Sequence, residues 1–295
     1  MEAVHAVSTV KGPEAPALRK RPSVLRRFGR NPLAVAALGY LLVIILAAII
    51  APVITPYDPN RIEMGATLLP PSATHWLGTD ESGRDEFTRL LYGARISLTI
   101  GVVAMLLSVI LGTAIGALAG FFGGIADALS MRLTDAMLSI PIFFFLLTVL
   151  AVFGSAVPII IIAIGLSSWM TAARVVRAEV LRTINLDYVI AARAHGAGNW
   201  RIVLLHLLPS AVPSMMVAST IGVGQAILTE SALSYLGVGV QPPIASWGNM
   251  LSNAQNYFFP APLLAIWPGI LILFTVLSFN FIGDSARDTL SPYQN

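Results

Sequence analysis

Four histidines, two lysines and no cysteine set the limits of the chemistry open to this chain of 295 residues. Without cysteine there are no disulfides, thiolate metal sites or thiol nucleophiles. Lys11 and Lys20 both lie near the N-terminus, and neither sits in the Gly-rich turn with which a P-loop holds phosphate. Any ATP-driven step must therefore draw on nucleotide and Mg held by another chain. His5, His75, His195 and His206 form no H-E-x-x-H pair. Gly165-Leu166-Ser167 offers a hydroxyl, but a serine nucleophile needs a base within reach, and every histidine falls outside the apolar segments. No catalytic residue is expected. His75, Asp80 and Asp85 bring ligand-type side chains into one short stretch, yet a lone histidine among scattered carboxylates more often belongs to a surface or capping cluster. No metal and no other cofactor is assigned to this chain.

Hydropathy fixes the elements that must carry these residues. The chain is 56% hydrophobic and 11% charged, against about 25% charged in a soluble domain, and its mean hydropathy is +0.78. This composition belongs to an integral membrane protein. Spanning takes about 20 apolar residues. Six segments qualify: 33–54, 96–119, 136–153, 157–173, 207–229 and 262–283, the fourth being the shortest. The first segment is too long, and too far from the N-terminus, for a cleaved signal peptide. The expected fold is all-α, with six transmembrane helices. The domains are a basic tail over 1–31, a first helix and external loop over 32–92, a five-helix core over 93–285, and a tail over 286–295.

Lys and Arg concentrate on the cytoplasmic side of membrane proteins. Lys11, Arg19, Lys20, Arg21, Arg26, Arg27 and Arg30 place the N-terminal tail inside. Between the first two spans, Asp58, Glu63, Asp80, Glu81, Asp85 and Glu86 outnumber Arg61, Arg84 and Arg89, so that loop is outside. Arg174, Arg177, Arg182, Arg193 and Arg201 place the 174–209 loop inside. The uncharged 231–261 segment suits an external, partly embedded loop. Both termini are then cytoplasmic. Within the second span, Gly112, Gly116 and Gly120, with Gly124 beyond them, repeat every four residues. That spacing lines one helix face and admits a neighbouring backbone. In the outer loop, Ser82-x-x-Asp85 suits a capping box opening a helix.

The inner loop is polar yet patterned. Residues 187–195 favour a short helix, Gly196 and Gly198 break it, and Asn199 suits the N-cap of a second helix over 200–207. Small residues at Ala191, Ala192 and Ala194 would let the first helix enter a partner's groove; alternatively it lies on the bilayer surface. In DYVIAARAHGAGNWRIVLLHLLP, the spacing of Ala191-Ala192, Gly196 and Leu208-Pro209 resembles the cytoplasmic "EAA" signature of ABC-importer permeases. Ile190 stands at the acidic position and His206 at the Ile position of that signature. HWLGTDESGRDEFTRLLYGARISL and RRFGRNPLAVAALGYLLV are similar to segments of the C-type subunits in the dipeptide, oligopeptide and nickel branch.

The resemblance implies a type I ABC importer permease of the inner membrane, with a coupling helix between spans four and five. Its partners would be a second homologous permease, two ATPase subunits that bind ATP and Mg, and an extracytoplasmic solute-binding protein. No nucleic acid is involved. Coupling to the ATPases would fall to Asp187, Ala191, Ala192, Arg193, Ala194, Gly196, Ala197, Arg201 and Pro209. His75, Asp80, Arg84 and Asp85 are candidates for docking at the external loop. The alternative is an ion-gradient-driven secondary transporter, but such proteins commonly place ionisable residues along their spans; here the spans are nearly bare, with Glu230 near the outer end of span five and Arg132 and Asp135 near the inner end of span three.

The charge asymmetry makes a direct prediction. Single cysteines near Asn60 and near Asn199 should react with an impermeant thiol reagent from opposite faces of the membrane. Reaction of both from one face would defeat the six-span arrangement.

Overall fold

The computed structural model describes residues 28–29 and 31–290. The basic cluster from Lys11 to Arg27, together with Arg30, lies outside the described residues, as do residues 291–295 of the C-terminal tail. Helix α1, Pro32–Ile54, begins with Pro32 in its first turn and with Asn31 Oδ1 accepting from the amides of Leu33 and Ala34. Its buried residues Ala34, Ala37, Leu41, Ile44, Ala48 and Ala51 recur every three or four positions and form one stripe. Pro52 has no N–H to offer the carbonyl of Ala48. Arg95 takes over, donating to the carbonyls of Ala48 and Ile49.

Helix α2, Glu86–Phe122, is the central helix, and ten residues longer at its outer end than the apolar run suggested. Gly123 and Gly124 both have positive φ and end it. Gly124 therefore opens the next helix instead of extending the glycine stripe. Helix α3, Gly124–Ser139, and helix α4, Ile142–Phe153, meet at 85°. The single span expected over 136–153 is thus broken. Pro141 causes the break: its ring fixes φ and its missing N–H ends the ladder, while the residue before it is driven extended, as Ile140 is (φ −83°, ψ 123°).

Helix α5, Val157–Thr183, continues well past the expected end at 173, so Arg174, Arg177 and Arg182 lie on a helix, not in a loop. Arg177 pairs with Asp127, and Arg174 with Asp135 at 2.5 Å. These pairs fasten α3 to α5. The inner segment holds helices α6, Asp187–Ala194, and α7, Asn199–Ile202. Helix α8, Leu208–Tyr235, and helix α10, Leu263–Leu290, flank the outer helix α9, Trp247–Ala254. Among the described residues, five helices are long and apolar enough to cross a membrane, with Asn199–Tyr235 counted as one; α3 and α4 add a sixth if the bent pair crosses together.

The core is organised around α2. A side chain at Gly112 would lie 2.5 Å from Ala172 Cβ and 2.7 Å from the Trp169 carbonyl oxygen. Gly116 and Gly120 meet Ala173, Val176 and Val180 in the same way, so α2 and α5 touch backbone to backbone. Farther out, Gly101 admits Ile227 of α8 and Gly93 admits Trp247 of α9.

Replacing Gly112 by leucine should destabilise the protein by about 1–3 kcal/mol, because the neighbours it meets include main-chain atoms with little room to shift. Gly39→Leu in α1, where an added Cβ would meet no other segment of the described residues within 4 Å, is the control. Equal melting temperatures for the two variants in detergent would refute the close seam.

Candidate functional site

The inner segment is built from a stop, a cap and one anchor. Thr183 Oγ1 donates to the Glu179 carbonyl at 2.7 Å and lies 3.2 Å from Ser210 Oγ, which ties the end of α5 to the start of α8. Helix α6 carries Asp187 in its first turn and Arg193 in its last, the arrangement its dipole favours. Its only buried residue is Val189, which joins a cluster with Val176, Val180, Ile202, Val203 and Leu207. Asp187, Ala191, Arg193, Ala194, Gly196, Arg201 and Pro209 are exposed, while Ala192 and Ala197 are half-buried. The helix ends in a Schellman motif, with the Ala197 amide donating to Ala192 (3.1 Å) and the Gly196 amide to Arg193 (3.0 Å). Gly196 has φ +81°, and a Cβ there would meet nothing within 4 Å. Glycine is required by the backbone, and the space around it is open.

The second inner helix differs from expectation. Gly198, not Asn199, occupies the N-cap, with no side-chain hydrogen bond, and Asn199 is the first helical residue. The helix does not stop at Leu207. Val203–Leu207 widens into π geometry and runs on into α8. Pro209 and Pro213 lack the N–H groups that Leu205 and Pro209 carbonyls would use, and the widened turn sits beside that loss. The Tyr188 ring stacks near His206, with centroids 6.4 Å apart. This contact ties α6 to the helix that follows it.

The outer loop is a second cluster, and its charges face inward. Asp80 accepts from Arg84 Nε at 2.6 Å and from the Ser82 and Arg84 amides at 2.9 Å. Arg89 Nε lies 3.4 Å from Asp80, and Arg84 also pairs with Glu81 at 2.9 Å. His75 Nδ1 is 2.9 Å from Asp85 Oδ1, and the Tyr57 ring stacks on His75. Asp85 is itself the N-cap of α2, accepting from the Thr88 amide at 2.8 Å. This corrects the expected Ser82-x-x-Asp85 box, in which Asp85 would have been the third helical residue. Asp80, Arg84, Asp85 and Arg89 are all buried and His75 is half-buried against Asp85, so Asp80, Arg84 and Asp85 shape the loop from within and do not present their charges on its surface. Among the described residues no group of three or more His, Cys, Asp or Glu is placed to hold a metal ion.

Two further features carry no sequence signature. Glu230, fully buried, accepts from Ser234 Oγ at 2.7 Å and Ser97 Oγ at 3.1 Å, while Ser97 Oγ accepts from the Trp247 amide at 3.2 Å. One carboxyl thus joins α2, α8 and α9. A cavity of about 610 Å³ lies between the α3–α4 break, the middle of α5 and the middle of α8, and no charged residue lines it.

A family model described as "Binding-protein-dependent transport system inner membrane component" matches residues 112–293. A second, the "N-terminal TM domain of oligopeptide transport permease C", matches residues 23–71. A glutathione transport system permease protein of Pectobacterium atrosepticum is 40% identical over 90% of this chain and 89% of its own length. A dipeptide transport system permease protein of Bacillus subtilis is 39% identical over 92% and 88%. A nickel transport system permease protein of Escherichia coli is 40% identical over 81% and 86%. Among solved structures, the inward-facing MetNI methionine ABC transporter aligns with TM-score 0.56 and 21% identity, covering 69% of this chain and 97% of the matched one; that likeness concerns the fold.

Asp80→Asn should leave the buried Arg89 without its ion-pair partner and Arg84 with Glu81 alone. Breaking such a pair typically costs about 3–5 kcal/mol. Faster proteolysis within residues 55–85, with the inner segment unchanged, is the expected result. Unaltered cleavage would show that the cluster does not hold the loop.

Proposed function

The chain belongs to the family of binding-protein-dependent transport system inner membrane components, and from that premise we propose that it passes peptides, or a related small solute, through the membrane by a mechanism driven from its exposed inner helix. It is a permease subunit of an ATP-driven importer with the type I fold, a transport subunit and not an enzyme. That membership sets aside the ion-gradient-driven alternative. Membership also brings ATPase and solute-binding partners. In our reading these are two ATPase chains, which bind ATP and Mg, a second homologous permease, and an extracytoplasmic binding protein. Both termini and the α6 segment face the cytoplasm.

One observation carries the coupling role. Helix α6 protrudes with a single buried anchor, yet it is flanked by two helices that run without a break into the membrane. A body gripping α6 would therefore act on α5 and α8 together. Gly196 sharpens the argument, because a Cβ there would meet nothing within 4 Å among the described residues. The peptide assignment rests on similarity to relatives named for glutathione, dipeptides and nickel at nearly equal identity. In this reading the solute-binding protein makes much of the selection among those solutes.

Two measurements test this reading. The purified chain should hydrolyse no ATP, since it lacks a P-loop lysine; hydrolysis should appear only with the ATPase subunits. Gly196→Asp should cost the isolated chain about 1–2 kcal/mol of local backbone strain and leave the spans intact. In the assembled transporter it should abolish either ATPase binding or ATP-driven uptake. Normal assembly with normal uptake would remove the coupling role.

A further inference from the structure

The cavity beside the α3–α4 break contains polar groups that the chain itself leaves unused. Thr171, near the middle of α5, and Gln225, well inside α8, are both exposed and both line it. Neither side chain makes a hydrogen bond among the described residues, although Ser167 and Ser168 beside Thr171 each donate to the Ile164 carbonyl. An unpaired carboxamide facing lipid tails costs several kcal/mol, so lipid is not what these groups meet. The helix break gives a second, independent indication. Ile140, Pro141 and Ile142 form part of the same wall, and among the described residues no backbone hydrogen bond joins the α4 amides to the Leu138 and Ser139 carbonyls. At membrane depth, irregular backbone is tolerated where protein buries it or water reaches it. Broken helices next to such a cavity mark solute sites in other transporter folds.

We infer that this cavity is the chain's wall of the solute path and that Thr171 and Gln225 are its hydrogen-bonding contacts for an amide-rich solute. A carboxamide both donates and accepts, which matches a peptide group in either orientation. The lining holds no charge to trap or repel a charged side chain. Met105, Met137 and Met170 complete the wall, and methionine adapts its shape to varied partners. Such a wall passes many peptide side chains while gripping the backbone they share. This inference rests on the permease reading above and deepens it.

The absence of native cysteine makes a clean test. Thr171→Cys and Gln225→Cys, in the transporter expressed with its partner subunits, should react with a charged methanethiosulfonate in at least one nucleotide state, and the reaction should block uptake. Val43→Cys, 67% exposed on α1 and remote from the cavity, should stay unmodified. Gln225→Leu should slow uptake of radiolabelled tri-alanine roughly two- to tenfold, the worth of one hydrogen bond, with assembly and ATP hydrolysis unchanged. No labelling in nucleotide-free, ATP-bound and vanadate-trapped states would overturn the path, because a partner's side chains would then fill the cavity. Loss of assembly in Gln225→Leu would assign that residue to the contact between permeases instead. A transporter that carries another solute but not tri-alanine overturns the amide class. Should the unmodified transporter move nothing under ATP, the permease reading itself fails, while labelling still decides whether the cavity holds water.

Discussion

The close seam between α2 and α5 is the contact on which the rest of the molecule depends. Association of helices in lipid gains nothing from expelling water, so packing must supply the attraction, and small residues allow the closest packing. Gly112, Gly116 and Gly120 let Ala172, Ala173, Val176 and Val180 reach the α2 backbone. The same Val176 and Val180 then form the floor on which Val189, Ile202, Val203 and Leu207 rest. The inner end of the seam is therefore the foundation of the protruding helix α6.

Charge is arranged around this seam with little waste. At the outer end, Asp80 gathers two guanidinium groups and Asp85 caps α2, so the loop before the helix is fixed to its first turn. Glu230 extends that fixed region sideways by drawing Ser97, Ser234 and, through Ser97, the α9 amide of Trp247 into one network. At the inner end, pairs between Asp127 and Arg177 and between Asp135 and Arg174 hold α3 against α5. Between the two ends, the cavity wall is uncharged. Fixed charge thus serves to set the frame, and the region left for a moving solute is neutral.

Much of this was legible because it is local. The α6 helix, the turn at Gly196 and the glycine stripe follow from composition and spacing within a few residues. Hydropathy located the spans but not their continuity: residues 136–153 are apolar enough to cross, yet Pro141 divides them, since transfer free energy is blind to a missing N–H. Hydropathy also ended α5 too early, because Arg174, Arg177 and Arg182 read as loop when they in fact ride on a helix that outlasts the apolar run. The Ser82-x-x-Asp85 pattern puts Asp85 at the third helical position, whereas it is the cap; helix starts are prone to such shifts of a few positions. The partners of Glu230 and the placing of Thr171 and Gln225 on one cavity depend on residues dozens of positions apart or more. No pattern along the chain marks them.

The geometry links the two regions that function requires. Thr171 stands on α5, the helix entering the inner segment, and Gln225 stands on α8, the helix leaving it. The contact between Thr183 and Ser210 clamps those helices together below the cavity, and α6 projects from between them. A force applied to α6 is thus delivered to two of the helices that line the cavity. The π turn at Val203–Leu207 and the prolines after it leave carbonyls short of their helical partners, which lowers the cost of bending there compared with an unbroken ladder. Bending at Pro213, beyond the Thr183–Ser210 contact, would change the separation of Thr171 and Gln225, while the nearest neighbours of Gly112, Gly116 and Gly120 all lie on α5. A stiff α2–α5 pair beside a bendable α8 is therefore a sufficient mechanical basis for opening and closing one wall of the path.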